Sequence, residues 1–343
     1  MRVWLIGFGT VGRWVAATLD SQSERLAQRY GVAVTVVGVA TARDGFVHRA
    51  GGLHLRSLLD GDRALGDHPG VRHWRTALDG MRETEADLLV EVTASPADGG
   101  EPGLSHMREA LGRGIPVVTS NKWPVALHGV ELAELARSRG VAFRAESSVM
   151  SGTPLLSALV EGLAGAIPVG LRGLLNATAN FILSRMAEGR SYEEALAEAQ
   201  AAGLAERNPA ADVQGSDSVA KVMILSALVF GRQLRAGEVA CRGIDSISRS
   251  EIDQAAATGT RLKHVATLEF SEPDGAGRAT ARVEPELLAP DDPLARIDGT
   301  TNAVVCRATP VGEIAVAGPG AGPQLAGQGV LSDLIAVARA LRA

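Results

Sequence analysis

The chain has 343 residues, 46% of them hydrophobic, with a formal net charge of −5 and a pI near 5.9. That length and apolar content suffice for two domains with buried cores. The acidic balance excludes the basic field that nucleic acid or an anionic membrane would need, so a small-molecule partner is expected. Cys241 and Cys306 are too few and too far apart for a disulfide framework or a metal cage. These two cysteines leave a reducing cytoplasm as the expected location, and no apolar run approaches the roughly 18 to 20 residues of a membrane helix.

Residues 3–6 read as a buried strand, 7–12 as a turn, 11–26 as a helix and 32–39 as a second strand, which makes a βαβ unit. A variable stretch rich in Gly, His and Arg (43–82) gives way to ADLLVEVT (86–93), a continuous apolar run of the kind found in central parallel strands. A helix at 103–112, a strand at 116–119, a helix at 125–139 and a strand at 141–145 continue the alternation. The expected fold class is α/β, with a Rossmann-type doubly wound parallel sheet. After Ser147 the pattern changes to helices at 154–163, 181–188, 192–202 and 216–230, with strands at 171–175, 266–270 and 278–283. A second, substrate-carrying α+β domain is expected there. A last helix, 324–341, follows the glycine-rich GPGAG and is expected to return to the first domain. The domains are therefore placed at 1–146 with 315–343, and at 147–314.

Gly7-Phe8-Gly9-Thr10-Val11-Gly12 follows a strand and opens a helix. Glycines there let the backbone turn tightly and approach a pyrophosphate, which lies at the positive helix N-terminus. The second strand ends in Val39-Ala40-Thr41-Ala42-Arg43, without the acid that usually meets the ribose hydroxyls of NAD. A cation suits a 2′-phosphate, so NADP is expected, with NAD as the alternative and Arg43 as the contact.

Lys122, Lys221 and Lys263 are the only lysines among 34 Lys and Arg side chains. Lysine survives a drift toward arginine where a compact, deprotonatable donor is required. Lys122 lies just past the carboxyl end of a strand, the edge at which open α/β sheets bind ligands. Lys221 follows Asp217 by four residues on one helix face, and Gly203, Glu206, Asp212 and Gly215 stand upstream in a loop. Carboxylates converging with one lysine can bind an amino acid's ammonium group and orient a proton donor. Lys263 has no acidic cluster near it in sequence and reads as structural.

With these residues in hand, the chain resembles homoserine dehydrogenase over nearly its whole length. The likeness rests on GFGTVG at 7–12, SNKWPVA at 120–126, LLNATANFIL at 174–183, AAGLAERNPAADVQGSDSVAKVMIL at 201–225, RGI at 242–244, DPLARIDGTTNAV at 292–304, GPGAG at 318–322 and VLSDLI at 330–335. The resemblance implies Lys221 as the general acid/base and Lys122 as a second active-site lysine. Gly203, Glu206, Asp212 and Asp217 would hold the substrate, and Thr93 and Gly320 join the glycine turn around the cofactor. It also implies a monovalent cation, sodium or potassium, on the carbonyls of Glu146, Val149, Ser151 and Thr153, and a homodimer. The expected reaction is hydride transfer between aspartate 4-semialdehyde and homoserine, in the service of threonine and methionine biosynthesis. The family's regulatory domain would follow where this chain stops, so control by that route is not expected. Three departures stand out: Ser151-Gly152 where paired glycines are usual, Asn176-Ala177-Thr178-Ala179-Asn180 in place of an LNGTTN-like turn, and Asn208 in place of an acid. They keep open a related or modified amino alcohol as substrate. A non-catalytic nucleotide sensor is the remaining alternative.

Overall fold

The structure is a computed structural model and describes residues 1–61, 63–272 and 276–342. In chain order the first elements are β1 (Arg2–Ile6), α1 (Thr10–Ser21), α2 (Ser23–Tyr30), β2 (Thr35–Thr41), β3 (Gly45–His48), α3 (Leu55–Asp60), β4 (Arg72–Trp74), α4 (Ala77–Glu83) and β5 (Leu88–Glu91). There follow α5 (Gly103–Gly112), β6 (Val117–Thr119), α6 (Lys122–Ser138), β7 (Phe143–Arg144) and α7 (Ser147–Met150). Beyond these come α8 (Leu156–Val160), β8 (Ile167–Leu174), α9 (Ala177–Ala187), α10 (Tyr192–Ala201), α11 (Ala210–Val213) and α12 (Ser216–Val229). The chain ends with β9 (Val239–Cys241), α13 (Arg249–Ala257), β10 (Arg261–Phe270), β11 (Ala279–Leu288), β12 (Thr301–Thr309), β13 (Gly312–Pro319) and α14 (Pro323–Ala340). Two compact units result, Met1–Gly152 with Gly322–Ala343, and Thr153–Ala321.

The first unit is built on a seven-stranded sheet in the order β4-β3-β2-β1-β5-β6-β7. Alternation along β1 sends Val3 and Leu5 to one face and Trp4 and Ile6 to the other. Val3 and Leu5 join Val15, Leu19, Val330, Leu334 and Val337 of α1 and α14. Trp4 and Ile6 join Met81, Met107, Leu111 and Leu132 of α4, α5 and α6. Helices therefore cover both faces, and the C-terminal helix belongs to this unit. Asp333 of α14 accepts from Arg144 Nε at 2.7 Å and from the Glu146 main-chain N–H at 2.9 Å.

Several local expectations needed correction. The helix expected at 11–26 is two helices broken at Gln22, within the polar run Ser21-Gln22-Ser23, whose serine side chains compete with helical hydrogen bonds. The variable stretch contributes β3 and β4, antiparallel strands that extend the otherwise parallel sheet. The α6 helix begins at Lys122, three residues before its expected start. Pro124 sits in its first turn, where a missing N–H breaks no intrahelical bond.

The second unit carries a six-stranded sheet in the order β13-β12-β8-β10-β11-β9, antiparallel except for the β11/β9 pair. The β12/β13 hairpin was not foreseen from the sequence. A core of Ile182, Leu183, Met186, Ala195, Ile244 and Ile252 binds α9, α10 and α13 together. The α12 helix is buried from Ser218 to Ala227.

Candidate active site

Apart from Gly320, the residues expected at the nucleotide lie in the first unit. Gly7 has φ +100°, and a Cβ there would fall 2.6 Å from the Val92 carbonyl carbon, so the turn is pressed against the exit of β5. A Cβ on Gly12 would fall 2.0 Å from Gly7 O, whereas one on Gly9 would meet nothing within 4 Å. Gly9 is the N-cap of α1, no side chain caps it, and the first turn holds no acid. The helix N-terminus thus offers backbone N–H groups to an anion. Phe8 lies beneath the Arg13 guanidinium, 5.4 Å from the ring centroid.

Beyond β2, Arg43 is 87% exposed and its Nε lies 3.2 Å from Asp44 Oδ1. The expectation that no acid stands here is corrected. Asp44 folds back on the strand end, accepting from Thr41 Oγ1 at 2.9 Å, while its own N–H donates to that oxygen at 2.8 Å. Sequence reading stopped one residue short because the strand runs to Thr41, and the turn then returns Asp44 to it.

At the carboxyl edge of the same sheet, Lys122 is half-buried as the first residue of α6, with Asn121 as its N-cap. Thr93 lies two residues past β5, its hydroxyl accepting from Asn121 Nδ2 at 3.2 Å. Glu146 caps α7 and is buried with Val149. Ser151, at φ +53°, is the one non-glycine residue with positive φ among the described residues.

In the second unit five side chains and a carbonyl meet. Lys221 Nζ, on a side chain only 8% exposed, is 2.9 Å from Asp217 Oδ2, and it donates to Leu175 O at 2.6 Å. Asn176, the N-cap of α9, donates from Nδ2 to Asp217 Oδ2 at 3.0 Å and to Asp212 Oδ1 at 2.7 Å. Asn302 Nδ2 donates to the same Leu175 carbonyl at 3.0 Å. The structure therefore brings Lys221, Asp217 and Asp212 together. It adds Asn176, which sequence reading had treated only as part of a motif although Asn before a helix is an N-cap signal. Gly203, two residues past α10, has φ +71°, and Glu206 is exposed in the loop that follows. Among the described residues no hydrogen bond or ion pair ties the Glu206 carboxylate to the cluster. Ala177 is buried as the first residue of α9, at a negative φ that an alanine tolerates. Thr153 Oγ1 donates to Pro319 O at 3.0 Å, and Gly320 packs so closely on Asn302 that a Cβ would fall 2.1 Å from its amide carbon.

The sequence profile of homoserine dehydrogenase matches residues 154–335, and that of the homoserine dehydrogenase NAD-binding domain matches residues 7–146. The chain belongs to the homoserine dehydrogenase family. An NAD(+)-dependent homoserine dehydrogenase from Pseudomonas canavaninivorans is 39% identical over 336 residues, 96% of this chain and 94% of that protein. A crystal structure of a homoserine dehydrogenase from Thiobacillus denitrificans matches with a TM-score of 0.83 at 31% identity, covering all of this chain and 74% of that one. A hyperthermophilic archaeal homoserine dehydrogenase mutant, solved in complex with NADPH, matches with a TM-score of 0.81 at 29% identity, covering all of this chain and 98% of that one. The family's enzymes are NAD(P)-dependent oxidoreductases acting on a CH–OH group, and among the described residues no helix is long and apolar enough to cross a membrane.

Proposed function

We propose that this chain interconverts aspartate 4-semialdehyde and homoserine with NAD(P), the observation carrying the reading being the buried Lys221–Asp217–Asn176–Asp212 cluster. A bound nicotinamide supplies the hydride chemistry. The uncapped N-terminus of α1 and the close-packed glycine turn fit its pyrophosphate. Lys221, as an ammonium, stabilises negative charge developing on the substrate's carbonyl oxygen and delivers the proton that completes the alcohol. In the oxidising direction the same nitrogen takes that proton back, and a guanidinium cannot. Asp217 and the Leu175 carbonyl hold the lysine head, while Asn176 fixes the carboxylates of Asp217 and Asp212. These two carboxylates, with Glu206 and the backbone at Gly203, receive the amino acid's ammonium group. Lys122, half-buried at the ligand edge of the first unit's sheet, serves substrate and cofactor with Thr93, and Gly320 completes the dinucleotide set.

Arg43 and Asp44 compete in setting the cofactor. Arg43 suits the 2′-phosphate of NADP, and Asp44 suits the free diol of NAD. The carbonyls of Glu146, Val149, Ser151 and Thr153 are assigned to a monovalent cation. A homodimer is assigned to the second unit, where Ile167, Leu287 and Val311 expose apolar side chains. Light scattering across a concentration series tests that assembly. The decisive assay is NADPH and NADH oxidation with aspartate 4-semialdehyde, run with and without sodium or potassium. A panel of amino alcohols belongs beside homoserine, because the buried methyl of Ala177 adjoins Asn176 where the family usually has glycine. A panel member clearly preferred to homoserine would replace this substrate, and no turnover with any aldehyde would leave a nucleotide-binding sensor.

A further inference from the structure

Glu91 is the last residue of β5, a central strand paired to both β1 and β6, and it is 0% exposed. A carboxylate in that position is costly unless donors surround it. They do. Thr93 donates to Oε1 from its hydroxyl and from its main-chain N–H at 3.3 Å. Asn121 Nδ2 donates to Oε2 at 3.0 Å, and His106 Nδ1 stands 3.5 Å from Oε1. The main chain joins the same knot: Thr119 Oγ1 donates to Glu91 O at 2.8 Å and accepts from Asn121 N at 2.9 Å. Asn121 Nδ2 also reaches Ser95 Oγ at 2.7 Å. Gly103 closes the space, since a Cβ there would fall 2.5 Å from Asn121 Nδ2 and 3.1 Å from Glu91 Oε2. With no surface of its own, the Glu91 carboxylate acts through these neighbours.

Those neighbours are the two loops that leave the sheet at its ligand edge. One is the Val92-Thr93 segment, against which Gly7 is pressed, and the other is the Asn121-Lys122 turn that opens α6. We infer that Glu91 is a positioning residue whose buried carboxylate ties the β5 exit to the β6 exit, holding Thr93 beside the nucleotide turn and Lys122 in its working orientation. The inference rests on the dehydrogenase reading above. The chemistry requires a carboxylate because both oxygens meet donors. Glutamine would turn an NH₂ group toward either the Asn121 amide or the Thr93 donors.

The test is Glu91→Gln in the full chain, alone and with Asn121→Asp, which restores the bond with donor and acceptor exchanged. Glu91→Gln is expected to lower kcat for homoserine oxidation about tenfold to a hundredfold, the scale of a misplaced catalytic group. NADPH binding, read by fluorescence titration, weakens, while KM for homoserine changes less than kcat because the carboxylates assigned to its ammonium group, Asp212 and Asp217, lie in the second unit. The exchange variant recovers part of both losses. If Glu91→Gln does not fold, Asn121→Ser cuts the same link from the other side and carries the same expectation. Wild-type kcat and NADPH affinity in the variant that folds would overturn the inference, as would a loss that tracks the folded fraction by circular dichroism and is not recovered by the exchange. A wild-type protein that binds NADPH but leaves homoserine untouched would refute the dehydrogenase reading instead, and the titration would still decide the role of Glu91.

Discussion

A buried lysine head needs an acceptor for each N–H it turns away from water, and the two buried lysines, Lys221 and Lys263, meet that need differently. Lys221 faces Asp217 and the Leu175 carbonyl, partners that fix its head for the proton transfer proposed above. Lys221→Arg keeps the charge but cannot cycle through a neutral form, so kcat should fall about 10²- to 10⁴-fold with NADPH affinity nearly unchanged. Near wild-type turnover would remove Lys221 from the chemistry. Lys263, on a side chain 2% exposed, donates to Asn180 Oδ1 at 3.1 Å, Ile297 O at 2.6 Å and Asp298 Oδ1 at 2.6 Å. Three acceptors match the three protons of an ammonium, which gives a structural reason for lysine that the sequence did not show. Lys263→Met strands the buried acceptors and should cost about 2 kcal/mol, read as a lower urea midpoint. Asp298, half-exposed, can turn to water. An unchanged midpoint would mean that the cluster holds nothing. In the β2–β3 turn, Arg43→Ala should raise KM for NADPH far more than for NADH, and Asp44→Ala should do the reverse. Equal effects on both cofactors would detach the turn from the ribose.

The element that carries Lys221 is unusual in having no solvated face. A helix apolar all round is held by packing on every side, and the N-terminus of α12 shows how close that packing is. Gly215 has φ +88°, and a Cβ there would fall 2.8 Å from Cys241 Sγ and 3.3 Å from His264 Cε1. His264 is buried, its Nε2 3.0 Å from Arg242 O, and burial pushes the imidazole below its ordinary pKa against the pull of that hydrogen bond. Because the folded value is lowered, the unfolded chain takes up the proton first. The stability His264 contributes is complete above about pH 6.5 and is lost as pH falls from there toward the folded value, with a limiting slope of about 1.4 kcal/mol per pH unit. His48 and His68 are lowered by burial in the same direction, so the comparison must be with a variant. His264→Gln should show a shallower fall in urea-unfolding free energy between pH 7 and pH 5 than wild type, and parallel curves would exclude His264 as the source. Elements with strong periodicity or apolar runs were legible in the sequence, among them β1, β5, α5 and α12. The hairpin strands β3, β4, β12 and β13 were not, because only tertiary pairing makes strands of them. Val316 on β13 gains its partial burial by pairing with β12. The site divides in the same way. The spacing of Asp217 and Lys221 announces one helix face, whereas Asn176, Asp44 and Glu91 act through partners distant in sequence or through a turn that folds back. For Glu91 a signal existed, a single acid closing an apolar strand.

At the scale of the whole molecule each unit has its own sheet and its own core, and each holds a different part of the candidate chemistry. The glycine turn, Glu91 and Lys122 belong to the first unit, and the Lys221 cluster belongs to the second. A ligand that binds the folded chain alone stabilises it by RT ln(1 + [L]/Kd), about 2.7 kcal/mol at a hundredfold excess over Kd. The stabilisation should fall first on the backbone that the ligand touches, since amide exchange reports local opening. Hydrogen exchange read by mass spectrometry can therefore assign the two ligands separately. NADPH alone should slow exchange at residues 7–13, 91–93 and 121–123. Homoserine alone should slow it at residues 175–177 and 212–221. The assignment fails if NADPH protects only the second set or homoserine only the first. Uniform slowing across both units would mean that each ligand stabilises the fold as a whole, and the residue-level roles would then rest on the kinetics of the Lys221 and Glu91 variants.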